Sequence, residues 1–441
     1  MRFYSLVLFC FIVWTADLNA QETYDLKRCL ETGLDRNFDI RIVKNEQKIT
    51  DNNATAGNAG YLPTIDLSSS YSGAFSNLQQ QYPADGSAMI QRNNTLDQTF
   101  DAGIYLNWTI FDGLNIQSNY SKLKEYQQMG KLNTQLMIEN FIVELCTEYY
   151  NYVQQNIRMK NFQSALALSR ERLRIVEAQY SIGSMSSLDF QQAKVDFNAD
   201  SSKLIKQQEV LFSSLVKLNR LMALDNLEQF IQTPDTNIEL KTLSDKENIW
   251  QNTLRNNVFL LVSEKEIDIH TLELKSLQSK NYPYLKINAG YGYTHNRYQT
   301  SVYDKQNNLG LSYGVTLGIN LFDGMNRSRN QVNAKIEIEN SRLTYDKLQL
   351  ELKSDFTNIW MAYQNNMNLI RLEKDNLSTA KETYNIAIER YKLGTLSGIE
   401  LREAQNSLLE ADERYLQAVY NTKLCEISLL QISGESKNYL E

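Results

Sequence analysis

The chain has 441 residues, 42% apolar and 22% charged, which exceeds one average domain and is globular rather than disordered usage. Its formal charge of −7 lacks the basic footprint of a nucleic-acid binder, so no nucleic-acid partner is expected. Only Pro63, Pro83, Pro234 and Pro283 occur, leaving 84–233 and 284–441 free of helix-breaking proline, while 26 tyrosines suit amphipathic rings at a wet–dry boundary.

Residues 1–20 have the form of an export signal. Arg2 precedes the apolar run Leu6-Val7-Leu8-Phe9-Cys10-Phe11-Ile12-Val13-Trp14, and Ala20 is a small cleavage residue. That run is too short to span a bilayer, which takes about 20 apolar residues. No later stretch is apolar enough either, so an exported protein without a spanning helix is expected. Cys29, Cys146 and Cys425 then remain, in separate helix-patterned segments without paired spacing. They are expected to be buried thiols, not a disulfide framework or a metal site.

After the signal the pattern runs helix, strand, polar loop, strand, long helix, glycine turn, helix. A first repeat spans 21–233, with a helix over about 25–58, a β-hairpin over 63–111 and long helices over 114–223. An irregular connector containing Pro234, Asp235 and Asn237 covers 234–245. The second repeat spans 246–441, with its own helix, a hairpin over 283–322 and long helices over 325–432.

The chain is in fact written twice. Phe111-Asp112-Gly113 returns as Phe322-Asp323-Gly324, an offset of 211 residues, and Tyr180, Gly183 and Ala193 return as Tyr391, Gly394 and Ala404 at that same offset. Upstream of this motif Leu34, Asn37, Glu46 and Pro63 match Leu254, Asn257, Glu266 and Pro283 at an offset of 220. The first copy therefore carries nine more residues between Pro63 and Phe111. The chain is a tandem duplication.

Four segments alternate with period two. In the fourth, Leu309, Leu311, Tyr313, Val315, Leu317, Ile319 and Leu321 alternate with glycine and small polar residues. In the third, Leu285, Ile287, Ala289, Tyr291 and Tyr293 do so. The second does the same with Phe100, Ala102, Ile104, Leu106, Trp108 and Ile110, and the first with Ile65, Leu67, Tyr71 and Phe75. Such ribbons match transmembrane barrel strands as well as half-buried soluble sheet. Four strands cannot close a barrel, whose smallest closed forms have about eight, and lipid tolerates no open edge. The strands are therefore expected to be shared between chains, with the polar loops 76–98 and 298–308 outside the cell. From 114 to 180 and from 325 to 391 there is no proline, and each stretch is long enough for a helix of about 100 Å. Gly183 and Gly394 should turn these rods back, with Ser187 and Ser397 capping the helices that follow.

The paired Phe-Asp-Gly motifs after barrel strands, with Tyr-x-x-Gly turns about 70 residues later in both halves, resemble the TolC family of outer-membrane efflux and export channels. The resemblance covers nearly the whole mature chain. It implies a mixed α+β membrane protein, in which three protomers build a twelve-stranded β-barrel, four strands each, continuous with a long α-helical coiled-coil tunnel across the periplasm. It implies as partners a periplasmic adaptor and an inner-membrane pump besides outer-membrane lipid, and no cofactor. The exit of small molecules such as drugs and toxic compounds is the function implied. Export of polypeptides by a type I system is the alternative, and a pore-less exported coiled-coil scaffold the second.

By the same resemblance the hairpin tips Ile182, Gly183, Ser184, Leu393, Gly394 and Thr395 contact the adaptor. Asp189, Tyr391, Glu400 and Glu403 form the periplasmic gate, with Phe111, Asp112, Gly113, Phe322, Asp323 and Gly324 at the barrel-to-helix junction. The family's locking arginine, two residues after the second tip glycine, is Leu396 here, which leaves Arg390 or Arg402 to substitute. Read without the resemblance, Asp189, Glu400 and Glu403 are an acidic first turn favoured by the helix dipole. Only two histidines occur, His270 and His295, and no metal-ligand spacing, phosphate loop or nucleophile motif is present, so no enzyme is expected.

Overall fold

The computed structural model describes residues 23–80, 90–241, 243–299 and 303–440. The export segment 1–20, with Cys10, lies outside the described residues. The elements in chain order are α1 (Leu26–Arg36), α2 (Phe38–Asn53), α3 (Ala56–Ala59), β1 (Thr64–Gln80), β2 (Ile90–Asp112), α4 (Asn115–Ser181) and α5 (Ser187–Leu221), followed by α6 (Lys246–Asn256), α7 (Val258–Ser279), β3 (Tyr284–Arg297), β4 (Lys305–Gly318), α8 (Asn326–Lys392) and α9 (Gly398–Ile432), before a final 3-10 turn (Ser436–Tyr439). They fall into two compact units. One comprises Met1–Ile40, Ile138–Arg255 and Ser354–Glu441, the other Arg41–Met137 and Asn256–Lys353.

The second unit holds the sheet, antiparallel in the order β1-β2-β3-β4. Its two hairpins share one register: Thr64 lies opposite Asn107 and Tyr284 opposite Gly318, the same pair shifted by the two offsets of the repeat. One face is a glycine-floored polar row. Asp101 accepts hydrogen bonds from Tyr105 Oη at 2.6 Å and Thr294 Oγ1 at 2.8 Å, and Asn288 donates to Asn107 at 2.6 Å. The Tyr105 ring lies flat because Gly290 and Gly103 lack side chains; a Cβ on Gly290 would meet the ring at 2.6 Å. The other face carries the predicted apolar row, and it is bare: Leu67, Tyr71, Phe75, Leu311, Tyr313, Val315 and Leu317 are all exposed.

Strand limits differ from expectation at three places, one being the second loop, expected over 298–308, where β4 already begins at Lys305 and pairs with Arg297. The first hairpin does not become loop at 76–98: β1 runs on to Gln80 and β2 starts at Ile90, past a bulge at Asn77, whose Oδ1 accepts from Asn94 N at 2.7 Å. Polar residues are compatible with a strand wherever both faces are wet, so composition alone misplaced this boundary. Conversely β4 ends at Gly318, not at Leu321. Gly318 pairs with Tyr284, the first residue of β3, and beyond it this chain offers no ladder.

Each strand-to-helix junction is built the same way. Asp112 Oδ1 accepts from Ile116 N at 3.1 Å and Asp323 Oδ2 from Arg327 N at 2.9 Å, so the aspartate of each Phe-Asp-Gly caps the long helix. The next two residues are left-handed, with φ +73° at Gly113, +72° at Leu114, +69° at Gly324 and +63° at Met325. A Cβ on Gly113 would also meet the Ser279 carbonyl oxygen at 2.2 Å, whereas Gly324 has room. Glycine is thus demanded by backbone at both sites and by packing at only one.

The expected helix 25–58 and its counterpart at the head of the second repeat are each broken, without proline or glycine, at Asn37 and Asn257. The amide oxygen of Asn37 accepts from Asp39 N and Ile40 N, and that of Asn257 from Phe259 N and Leu260 N. These asparagines match at the 220-residue offset, so the break is written into both copies.

The first unit is packed round α4, α5, α8 and α9. Tyr149, Tyr152, Leu145, Ile142 and Leu218 are buried there, as are Cys29 and Cys146, whose thiols burial pushes up to about 12. Cys29, Cys146 and Cys425 are all free of disulfides, but Cys425, expected to be buried like the others, is only half-buried. Tyr149 Oη pins the irregular connector by donating to Asp235 at 2.6 Å, and Tyr152 Oη holds the segment just before it through the Ile231 carbonyl at 2.8 Å. Periodicity did not foresee the wholly buried pair Lys423–Glu426, at 2.7 Å, whose carboxylate also accepts from Tyr439 Oη at 2.8 Å and Lys241 N at 2.9 Å. Buried charge persists only when paired and hydrogen-bonded, as here.

Candidate functional site

The two helical hairpins of the first unit turn identically. Gly183 N donates to the Tyr180 carbonyl and Ser184 N to that of Gln179; Gly394 N and Thr395 N repeat this with Tyr391 and Arg390. With φ +76° at Gly183 and +75° at Gly394, both are Schellman turns that close α4 and α8. A Cβ on either glycine would meet nothing within 4 Å, so only backbone sign requires them. Ile182, Gly183, Ser184, Leu393, Gly394 and Thr395 are all exposed, and Ile182 and Leu393 present large apolar side chains to the outside.

The caps correct one expectation. Ser186, not Ser187, caps α5, as its match Ser397 caps α9. Both form capping boxes: Asp189 N and Glu400 N donate to Ser186 Oγ at 3.1 Å and Ser397 Oγ at 3.3 Å, and Ser186 N and Ser397 N donate back to the carboxylates at 3.4 Å and 2.9 Å. Each serine hydroxyl also donates to its carboxylate, at 2.6 Å for Asp189 and 2.7 Å for Glu400. These bonds, the serine hydroxyl first, hold the Glu400 carboxyl below its usual range.

Behind the tips Tyr391 sits in a core cluster with Val176, Ala193, Tyr384, Ala387 and Leu401, against which Leu396 packs. Where the family pattern has a locking arginine, this chain thus uses an aliphatic side chain for packing. A cavity of about 400 Å³ opens beside it, with Asp189, Tyr391 and Glu403 in its lining and Glu400 outside it. Three of the four predicted gate residues therefore line one cavity, and Asp189, like Glu400, also holds its own cap. The Tyr391 hydroxyl is buried and has no hydrogen-bond partner among the described residues.

Two basic side chains join the hairpins: Arg158 of α4 pairs with Glu413 of α9, and Arg402, nearer the tips, reaches back the other way. From α9 it forks onto Asp200 of α5, with Nη1 at 2.6 Å from Oδ2 and Nη2 at 2.8 Å from Oδ1. Ser169 of α4 donates to the same carboxylate, and Arg172 of α4 pairs with Asp196 of α5. Burial would raise the Asp200 carboxyl, but Arg402 and Ser169 outweigh it and hold it below the ordinary carboxylate range. Arg390, the other substitute considered, is exposed and serves through its carbonyl in the turn. Sequence reasoning missed Asp200, Ser169 and Asp196: lone polar residues in a long amphipathic helix carry no signal of which neighbour they meet.

Comparison with known proteins agrees with this architecture. The family described as outer membrane efflux protein matches residues 30–224 and 249–435. The outer membrane efflux protein BepC of Brucella suis is 19% identical over 351 residues, covering 76% of this chain and 72% of that one. Nodulation protein T of Rhizobium leguminosarum is 20% identical over 398 residues, covering 88% and 81%. Among solved structures, the CmeC outer membrane channel of Campylobacter jejuni superposes with a TM-score of 0.77 at 15% identity, covering 93% of this chain and 86% of that one, which shows the fold. The sheet belongs in the outer membrane and the helices in the periplasm, and the chain belongs to the outer membrane efflux protein family.

Proposed function

We propose that three copies of this chain close a twelve-stranded barrel and form the passive exit duct of a tripartite efflux system. Its cargo is small molecules, drugs and toxic compounds among them, and the duct performs no chemistry on them. An inner-membrane pump supplies the energy, and a periplasmic adaptor couples it to the exposed tips at Ile182–Ser184 and Leu393–Thr395. The observation that carries the reading is the bare apolar row on an open four-stranded sheet. A pore-less scaffold in water has no use for such a row, and a barrel in lipid requires it.

The gate reading rests on Asp189, Tyr391 and Glu403 sharing one cavity, with Arg402–Asp200 clasping the hairpins behind them. Repeated by threefold symmetry, the acidic side chains form a ring that favours cations. Single-channel recording in planar bilayers tests both claims. Wild type should conduct with cation preference. Glu403→Gln should lower that preference by a factor of two or more, and Glu400→Gln should change it less, because that carboxylate is already engaged by Ser397. A chain that never conducts refutes the duct, and equal selectivity in all three proteins refutes the ring.

A further inference from the structure

The two copies of the repeat have unequal company, and the inequality has a pattern. Inside the chain the second strand of copy one, β2, pairs with the first strand of copy two, β3. The equivalent neighbours of β4 and β1 are absent, so both sheet edges are open among the described residues. The same holds in the helical layer. Val258 and Ile269 of α7 are 1% and 6% exposed. Their matches at the 220-residue offset, Phe38 and Ile49 of α2, are 66% and 59% exposed. Within its unit α7 is covered by α4, through Lys122–Glu273 at 2.5 Å and Lys265–Glu125 at 3.0 Å. The counterpart of α4 is α8, which bares Val332, Ile336, Leu343 and Leu350.

We infer that a second copy of this chain completes the pattern: its β1 and α2 dock on β4 and α8, in the register that β2 and β3 already display. The inference rests on the trimeric barrel proposed above and adds which residues meet. Ile104 lies opposite Tyr291, Leu106 opposite Ala289, Ala102 opposite Tyr293 and Phe100 opposite His295. Shifting β2 by 211 and β3 by 220 puts Val315 opposite Tyr71 of the neighbouring copy. It likewise puts Leu317 opposite Ser69, Tyr313 opposite Gly73 and Leu311 opposite Phe75. The shift is sound because it also carries the register of the first hairpin onto that of the second.

Three consequences of this register fit the chain. It keeps every exposed apolar side chain on one face, and a slip by one residue would mix the faces. Tyr313, 84% exposed, falls across from Gly73, where a Cβ would have only ordinary contacts, so the ring covers the glycine. Finally, it places Phe322 opposite Ile65 and gives the chain beyond Gly318 the ladder it lacks alone, just as Phe111 pairs with Leu285.

The test is cysteine cross-linking of the full chain in outer-membrane vesicles. Residues directly opposite across a ladder have Cβ atoms about 5 Å apart, while a shift of four residues adds about 13 Å. Oxidation of the Val315→Cys, Tyr71→Cys double variant should link three chains into one species that survives heating without reductant. Val315→Cys with Leu67→Cys, or with Phe75→Cys, should not. Linkage through a shifted pair, with none through 315 and 71, overturns the register while leaving the trimer intact. An intact trimer that no pair links overturns the seam itself. A monomer that no pair links overturns the barrel on which the inference depends.

Discussion

Leu311→Arg should cost on the order of 2–4 kcal/mol per chain in a bilayer, whereas Ser312→Arg, one residue along, should be close to neutral. The two positions differ only in the face of β4 they occupy. Leu311 belongs to the bare apolar row and Ser312 to the polar, glycine-floored face, where it donates to the Gly290 carbonyl at 3.3 Å. Near mid-strand an arginine on the lipid side has no water to reach without thinning the bilayer, while on the inner side it is solvated. Unfolding by denaturant in lipid vesicles reads the difference. Equal losses at both positions would mean that the faces are not differently solvated.

The second large effect lies at the helical tips. Arg402→Met should weaken the hold between α9 and α5 by about 3 kcal/mol, the lower end of the cost of stranding a buried charge. The lower end applies because Ser169 still donates to Asp200 and Lys203 stands 3.8 Å away. Hydrogen exchange in the first turns of α9 should accelerate roughly a hundredfold, since about 1.4 kcal/mol is a factor of ten. The paired change Asp200→Asn with Arg402→Met should recover much of the loss, because no charge is then left alone. Acid should mimic the single change. The Asp200 carboxyl is held below its ordinary value, so its stabilising contribution is complete above about pH 4 and disappears as pH falls through the folded value. Loosening of the tips should therefore begin only below about pH 4. An Arg402→Met protein whose tips exchange like wild type would show that the clasp carries no weight.

What could be read from the residues was whatever has a local cause. Period-two alternation names a strand and its wet face wherever one face is apolar, which is why 100–110 and 285–293 were placed well. The absence of proline lets α4 and α8 run for 67 residues each. The Phe-Asp-Gly junction is local too: an aspartate that caps and a glycine that turns. The missed features depend on distant partners or on competition between neighbours. Asn37 and Asn257 break helices by outcompeting the backbone for two N–H groups, and a polar residue in a helical run does not announce that. Ser186 rather than Ser187 caps α5 because the serine three residues before Asp189 completes the box; its match Ser397 offered the clue. The pairs Lys423–Glu426 and Arg402–Asp200 needed three-dimensional neighbours. The cavity shared by Tyr391, Asp189 and Glu403 was suggested only by the resemblance, and neither periodicity nor spacing indicated that Arg402 meets Asp200.

The bare row of β4 is the feature on which the duct depends, and lipid contact can be measured residue by residue. Single cysteines at 311, 312, 315 and 316, each carrying an environment-sensitive fluorophore, would be placed in vesicles of bromine-labelled lipid. Strong quenching at 311 and 315 with little at 312 and 316 is the predicted result. Quenching that ignores the alternation would contradict a wall with one lipid face and one wet face, and its absence at all four positions would show that this sheet does not stand in a membrane.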